Sequence, residues 1–366
     1  MPLSLCATSV ALGQNAITPL LSPPDDATAP VALEPKEQHL NFVTLGYQLG
    51  FNIRSSFKNI GRFGPATNPG STNGLSNHSY DDGYNLVDSS GTGNEHPNGT
   101  GGNVEGTWNW GFGSGATVNN GNGTISMHSL SSPGGTSNDR SDDPQPGFML
   151  TFGRQLFKDD RDRWRAGLET SFGFTDYAVK DNRSIGAPGN ELTDTYSLMG
   201  TVLPSSSSYS QNFTGDPNHI IIGDTPSRSI TRTVIPVSGE RDFEANLFAF
   251  KLGPYFEVPL NRTFSFSLEG GVAMVYVWSN FRFDEEVMNS GGLTEIKGNS
   301  NNRDIEFGGY AGAKISAAIS EQWSLFAGAQ WQDVGTYEHR DRGTGETAVL
   351  DLSNSIFFTA GIGYSF

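Results

Sequence analysis

His339 sits in "YEHRDRG", between Glu338 and Asp341, with Asp333 a few residues upstream. An imidazole beside a carboxylate is the pair that takes a proton from a nucleophile in general-base catalysis. A hydrolase built on it would need a serine within hydrogen-bond reach. On a solvated loop the same cluster only binds water. The chain has six histidines. His39 falls in a Pro-rich leader, and His78, His96, His128, His219 and His339 fall in polar connecting segments. The stretches "SNDRSDDP" and "FDEE" carry oxygen ligands of the kind Ca²⁺ takes, but without a fixed ligand spacing. Gly-rich phosphate loops and zinc spacings are absent, so no cofactor or metal is expected. A second set of charges is placed differently. Glu169, Lys251, Glu269 and Lys314 each stand alone inside an otherwise apolar, alternating run, and so do Arg165 and Glu257.

Those runs are the elements that must position the charges. In "NFVTLGYQLGFNIR", Val43, Leu45, Tyr47, Leu49, Phe51 and Ile53 alternate with Thr44, Gly46, Gln48, Gly50, Asn52 and Arg54. A period of two marks a strand with one apolar face. Alternation returns in "PGFMLTFGRQL", "WRAGLETSFGFTDY", "LFAFKLGPYFEV", "TFSFSLEGGVAMVYVWSNF", "RDIEFGGYAGAKISAAI", "WSLFAGAQWQD" and "SIFFTAGIGYSF". In the fourth run Phe243, Ala245 and Leu247 stand on the opposite parity from Phe248, Phe250 and Leu252, which predicts a bulge near 247. Pro254 predicts a disturbed ladder in the same run.

The count is eight strands, each long enough for the roughly 9–11 residues that cross a bilayer. Short turns follow the second, fourth and sixth, and longer segments follow the others. A soluble sandwich also alternates, but it does not sort tight turns to one end and long loops to the other. The predicted fold is therefore all-β: a transmembrane antiparallel up-and-down β-barrel. The polar segment at 58–145 is read as a long first outer loop. Its "VEGTWNWGFGSG", with Trp108, Trp110 and Phe112 alternating, could form a hairpin above the membrane or raise the count to ten strands. These aromatics would cap the barrel mouth or contact a ligand.

The opposite parity must face the lumen. Gly46, Gly50, Gly153, Gly173, Gly271, Gly312 and Gly361 lie on it, as a narrow tube requires. Counted from the short turns, Glu169, Lys251, Glu269 and Lys314 come to one level, alternating in sign from strand to strand. Arg165 and Glu257 would pair lower down, with Gln48 and Gln330 contributing from other strands. Charges removed from water must be paired, which predicts a salt-bridge belt that plugs the lumen. The other outcome is a charged constriction in a narrow pore.

Composition agrees with this scheme. The 366 residues include 46 Gly and 24 Phe, and only 17% are charged. A net charge of −16 excludes nucleic acid as a partner, because phosphate binding needs Lys and Arg in excess. Residues 1–16, "MPLSLCATSVALGQNA", have the short apolar run and small residues of an export signal without its basic start. Residues 17–40 are a flexible periplasmic leader. The six Asn-x-Ser/Thr triplets follow from a composition rich in those residues.

The closing strand "FFTAGIGYSF" and the strand–turn rhythm across 41–366 resemble the small eight-stranded outer-membrane barrels of bacteria, the OmpA/OmpX-like and OmpW-like superfamily. The resemblance implies a location in the outer membrane, contact with its lipids, and recognition of Ile362, Tyr364 and Phe366 by the barrel assembly machinery. No peptidoglycan-binding domain follows the barrel, and the first outer loop is longer than in compact members. Three roles remain open: a non-enzymatic structural or surface-interacting barrel with an unidentified extracellular ligand, a narrow conduit for small solutes, or a rim hydrolase.

Overall fold

The computed structural model describes residues 40–72, 76–86, 106–203, 208–210, 220–289 and 292–366. The expected signal at 1–16, all of the leader except Leu40, and His39, His96 and His219 lie outside them.

Eight strands form the barrel: β1 (Asn41–Phe51), β2 (Gln145–Lys158), β3 (Arg165–Asp181), β4 (Ser227–Pro259), β5 (Phe264–Asn289), β6 (Gly292–Ala318), β7 (Trp323–Asp333) and β8 (Ser355–Ser365). Each pairs antiparallel with its neighbour in sequence, and β1 pairs with β8, so the sheet closes into a ring. Backbone bonds between Asn41 and Phe366, 3.0 and 2.8 Å long, fasten the seam. The three short turns and both ends of the ring lie on one side. In the turn after β4 the Asn261 Oδ1 accepts from the Thr263 and Phe264 amides, both at 2.8 Å, and replaces water there. The ring has eight strands and not ten. Trp110–Phe112 belongs to a separate four-stranded sheet with His78–Tyr80, Gly83–Asn85 and Tyr209–Ser210.

No bulge occurs near 247. The β3–β4 register runs unbroken from Arg165↔Glu257 to Asp181↔Arg241. The register with β5 is the same on both sides of Pro254, with a gap in the ladder where proline has no N–H to donate. The irregularity lies instead at Ala166/Gly167, against β2. What changes at 247 is the medium. In the lower part of β4, Phe256, Leu252 and Phe250 point outward and are exposed, while Lys251 points inward. Higher up the outward positions become Asn246, Glu244, Asp242 and Glu240, and the inward ones become Leu247, Ala245 and Phe243, all buried. Strand β5 inverts in the same way. Outward Leu268, Val272 and Met274 give way to Arg282, Asp284 and Glu286, and inward Glu269 gives way to Val275, Val277, Phe281 and Phe283. An apolar exterior is stable only in lipid and a charged one only in water. The strands therefore leave the bilayer at this inversion and continue as a water-exposed wall.

That wall carries a head. The strand Ile185–Ser197 extends β3 in the same register against β4, and Thr124–Ser131 pairs along its far side. A second four-stranded sheet, made of Thr336–Arg340, Thr347–Asp351, Arg54–Ile60 and Gly135–Thr136, contributes to one core with the inner face of the wall. Phe57 stacks on Phe281 at 5.5 Å, and Ile60, Tyr337, Ala348 and Leu350 complete the core with Phe243, Val277 and Phe283. Each such apolar side chain contributes roughly 1.5–3 kcal/mol by leaving water. The segment at 58–145, expected as a polar loop, thus contributes short strands to three sheets in its described residues. Its glycines mark close approaches: a Cβ on Gly134, at φ +94°, would come within 2.5 Å of the Asn59 backbone.

Three ionisable side chains are buried together in the head. Arg241, Glu285 and Glu346 are each at most 1% exposed. Arg241 Nε donates to Glu285 Oε1, the Gly61 amide donates to Glu285 Oε2 at 3.0 Å, and Arg241 Nη1 donates to the Arg183 carbonyl at 3.2 Å. Glu346 lies within hydrogen-bond reach of Glu285, and burial together with the Glu285 charge pushes its carboxyl up to about 9. In acid form it donates to Glu285; as an anion it would face that carboxylate with only the Arg241 charge and the Gly61 amide to offset the repulsion. The unfolded chain releases this proton near pH 4.3. The stabilisation is therefore complete below about pH 4, falls as pH rises, and is gone above about pH 9. Glu346→Gln is expected to remove this component, flattening the unfolding midpoint of the head between pH 5 and 8. Urea titrations of both proteins at those pH values check it, and parallel pH profiles would refute the assignment.

Candidate functional site in the lumen

At the level of the lipid-facing band, the inward positions hold a small polar constellation. Lys251 on β4 donates to Gln330 Oε1 on β7. Gln330 Nε2 donates to Glu269 Oε1 on β5 at 3.0 Å. Lys314 on β6 donates to the other Glu269 oxygen at 3.5 Å, and its ammonium stands 3.9 Å from Glu169 Oε2 on β3. β4 and β7, β5 and β7, and β3 and β6 are not neighbours in the ring, so three of these contacts reach across the lumen. Glu169, Lys251 and Gln330 are buried, and Glu269 and Lys314 are half-buried. Two cations balance two carboxylates, and chemically the arrangement can hold itself shut against ions of either sign. Below it Arg165 reaches Glu257 at 3.6 Å and also grips Asp162 in the turn at 3.0 Å. Gln48 does not join the belt; it donates to Thr175 at 3.3 Å.

Alternation alone gave no reason to single out the rings that pack this belt. Lys251 sits 5.2 Å from the Phe357 centroid and 5.8 Å from Tyr310; Lys314 sits 5.6 Å from Phe42 and 6.0 Å from Phe326. A ring face attracts a cation more strongly when water is excluded. All four aromatics lie on the polar parity of their strands, and glycines make room for them. A Cβ on Gly153 would meet Phe42 at 2.1 Å, and one on Gly46 would meet Phe326 at 2.8 Å. The ammonium groups of the belt thus lie among four inward-facing aromatic rings.

The outer-loop aromatics are core residues. Trp110 is fully buried, and Trp108 and Phe112 nearly so. Trp110 donates to the Ile220 carbonyl at 2.9 Å, stacks on Phe112 and meets Tyr209 at a tilt, with ring centroids 4.8 Å apart. Ile362 and Phe366 lie on the outer surface, and Tyr364 packs 5.0 Å from Trp323 at the turn side. His339 is buried in the head. Its Nδ1 contacts Ser279 Oγ at 2.7 Å, its Nε2 contacts Ser300 Oγ at 3.1 Å, and Phe243 and Phe281 meet it edge-on. Burial holds this imidazole below its ordinary value. His128, in contrast, pairs with Asp82 at 2.7 Å, and that bond raises its affinity for a proton.

A closed antiparallel ring with an apolar exterior band, tight turns at one end and a folded head at the other defines a transmembrane β-barrel of the bacterial outer-membrane type. No protein-family model and no curated protein sequence matches the chain. Among solved structures it is similar to Ail, the attachment invasion locus protein of Yersinia pestis, at 8% identity and TM-score 0.30, over 90% of this chain and 100% of that one. It is also similar to the outer membrane protease OmpT of Escherichia coli (12%, TM-score 0.32, 89% and 96%) and to OprG of Pseudomonas aeruginosa (12%, TM-score 0.30, 89% and 96%).

Proposed function

We propose that the protein is a non-enzymatic outer-membrane barrel with a structural or surface-interaction role, its lumen plugged by its own side chains. One observation carries this: Lys251–Gln330 and Lys314–Glu169 join strands on different sides of the ring, so the belt spans the tube. The head above it supplies a second closure and the surface that meets the environment. Ile362, Tyr364 and Phe366 serve as the strand end read during assembly, and lipid contacts the exterior band.

The test is conductance in planar bilayers. The wild-type protein is expected to add no resolvable steps above the membrane leak. A variant with both Glu269→Ala and Lys314→Ala is expected to show brief openings. Steady, ion-selective steps from the wild type would overturn the plug and establish a pore.

A further inference from the structure

On the outer face of the wall, the cations just above the lipid band are neutralised within the protein. Arg282 pairs with Asp242 at 2.8 Å, Lys297 with Asp284 at 3.1 Å, and Lys180 with Glu240 and with Asp242 at 3.6 Å. Arg303 is different. Among the described residues it has no carboxylate within ion-pair distance, and it is exposed. It lies directly opposite Trp278 in the β5–β6 register, and its guanidinium stands 4.8 Å from the Trp278 ring centroid. Asp304, next in sequence, points to the other face of the sheet.

The height of this pair is defined by its neighbours. Immediately below are Tyr276 opposite Ile305 and Met274 opposite Phe307, and Ile305 and Phe307 are exposed to the lipid band. Immediately above are Asn280 opposite Asn301, and Asn246 lies across from Trp278 on β4. The pair therefore sits where hydrocarbon ends and headgroups begin, on the side away from the short turns. Trp belongs at that depth, apolar body down and N–H up. A guanidinium laid on its face keeps its edge donors free, and those donors match phosphate oxygens. The side chains flanking the pair are the amides of Asn246, Asn280 and Asn301, and the first outward carboxylate, Glu244, stands one position higher, opposite Asn280.

We propose that Arg303 and Trp278 form a binding site for the phosphate of a lipid in the outer leaflet. The acyl chains of that lipid lie along Ile305 and Phe307, its phosphate is held by the Arg303 fork, and Asn280 and Asn301 face its sugar or glycerol portion. The site depends on the barrel being embedded in a membrane but not on the lumen being plugged.

The experiment uses the purified, detergent-folded protein with three probes: bisphosphorylated lipid A, the same lipid with its phosphates removed, and inorganic phosphate. Binding is read by thermophoresis. Cold and boiled gel mobility confirms that each variant is folded. Removing the phosphates and substituting Arg303→Gln are each expected to weaken binding about tenfold, in line with a charge-assisted hydrogen bond. The two losses should not add, and Arg303→Lys should recover part of the affinity. If Arg303→Gln fails to fold, Trp278→Leu is expected to give a several-fold loss restricted to the phosphorylated lipid. Equal affinity of wild type and variant for the phosphorylated lipid would overturn the site. Full competition by inorganic phosphate would overturn a lipid as its occupant.

Discussion

Lys251→Glu is expected to lower the stability of the folded barrel by about 3–5 kcal/mol, the cost of leaving buried charge uncompensated. The native belt sets Lys251 and Lys314 against Glu169 and Glu269, and every member is tied to another strand. Reversal leaves three carboxylates facing one ammonium. The new carboxylate also loses the faces of Phe357 and Tyr310, which attract a cation and repel an anion. Lys251→Met should cost less than the reversal, because it leaves two carboxylates rather than three on the Lys314 ammonium, Gln330 still donates to Glu269, and a Met side chain packs against the same rings. Urea unfolding of the barrel in lipid vesicles, followed by tryptophan fluorescence, separates the three proteins. Midpoints for the Glu variant equal to those of the Met variant would show that the belt is not an electrostatic closure.

Arg241→Met is expected to have an effect of the same size in a different place. Arg241 is fully buried and supplies a charge-assisted donor to Glu285. Without it Glu285 loses its cation and keeps the Gly61 amide and the proton of Glu346. Breaking one side of a buried pair costs about 3–5 kcal/mol, and here the loss falls on the head. The variant should insert and show the same gel mobility shift, while the segments at 54–60 and 336–351 become sensitive to protease. Pairing Arg241→Met with Glu285→Leu should restore much of the resistance, since an apolar pair of similar volume can replace a buried ion pair. A resistant single variant would show that the triad does not hold the head.

The lipid-embedded half of this protein is legible in its sequence because lipid enforces a period of two. Leu45, Leu252, Val272 and Ile362 all obey it, and so do the inward Glu169, Lys251, Glu269 and Lys314. The head is not legible by the same rule. Above Leu247 and Val275 water replaces lipid outside, so the apolar parity moves inward, and Phe243, Ala245 and Leu247 look like a register slip when none exists. The inner sheet is hidden for another reason. It joins 54–60 to 347–351, and no local pattern reports a pairing across nearly the whole chain. Trp110 and Phe112 lie in a three-residue strand whose partners are equally short, so only tertiary packing shows that they are core. The lumen aromatics Phe42, Phe326 and Phe357 sit on the parity assigned to polar groups, and the glycines opposite them are the one cue in the sequence.

Four strands of the eight-stranded ring, β3 to β6, run from lipid into water without a break in the registers that join β4 to β3 and to β5, and β5 to β6. Nitroxide labels placed one at a time at Val272, Met274, Tyr276, Arg282, Asp284 and Glu286 on β5 test it directly, in vesicles, by relaxation with oxygen and with a water-soluble nickel chelate. All six side chains share the outer face. The account predicts high oxygen and low nickel accessibility at 272, 274 and 276, and the reverse at 282, 284 and 286, with the crossover between Trp278 and Arg282. Nickel access at all six positions would contradict it, and would make the alternating strands the walls of a water-soluble sandwich.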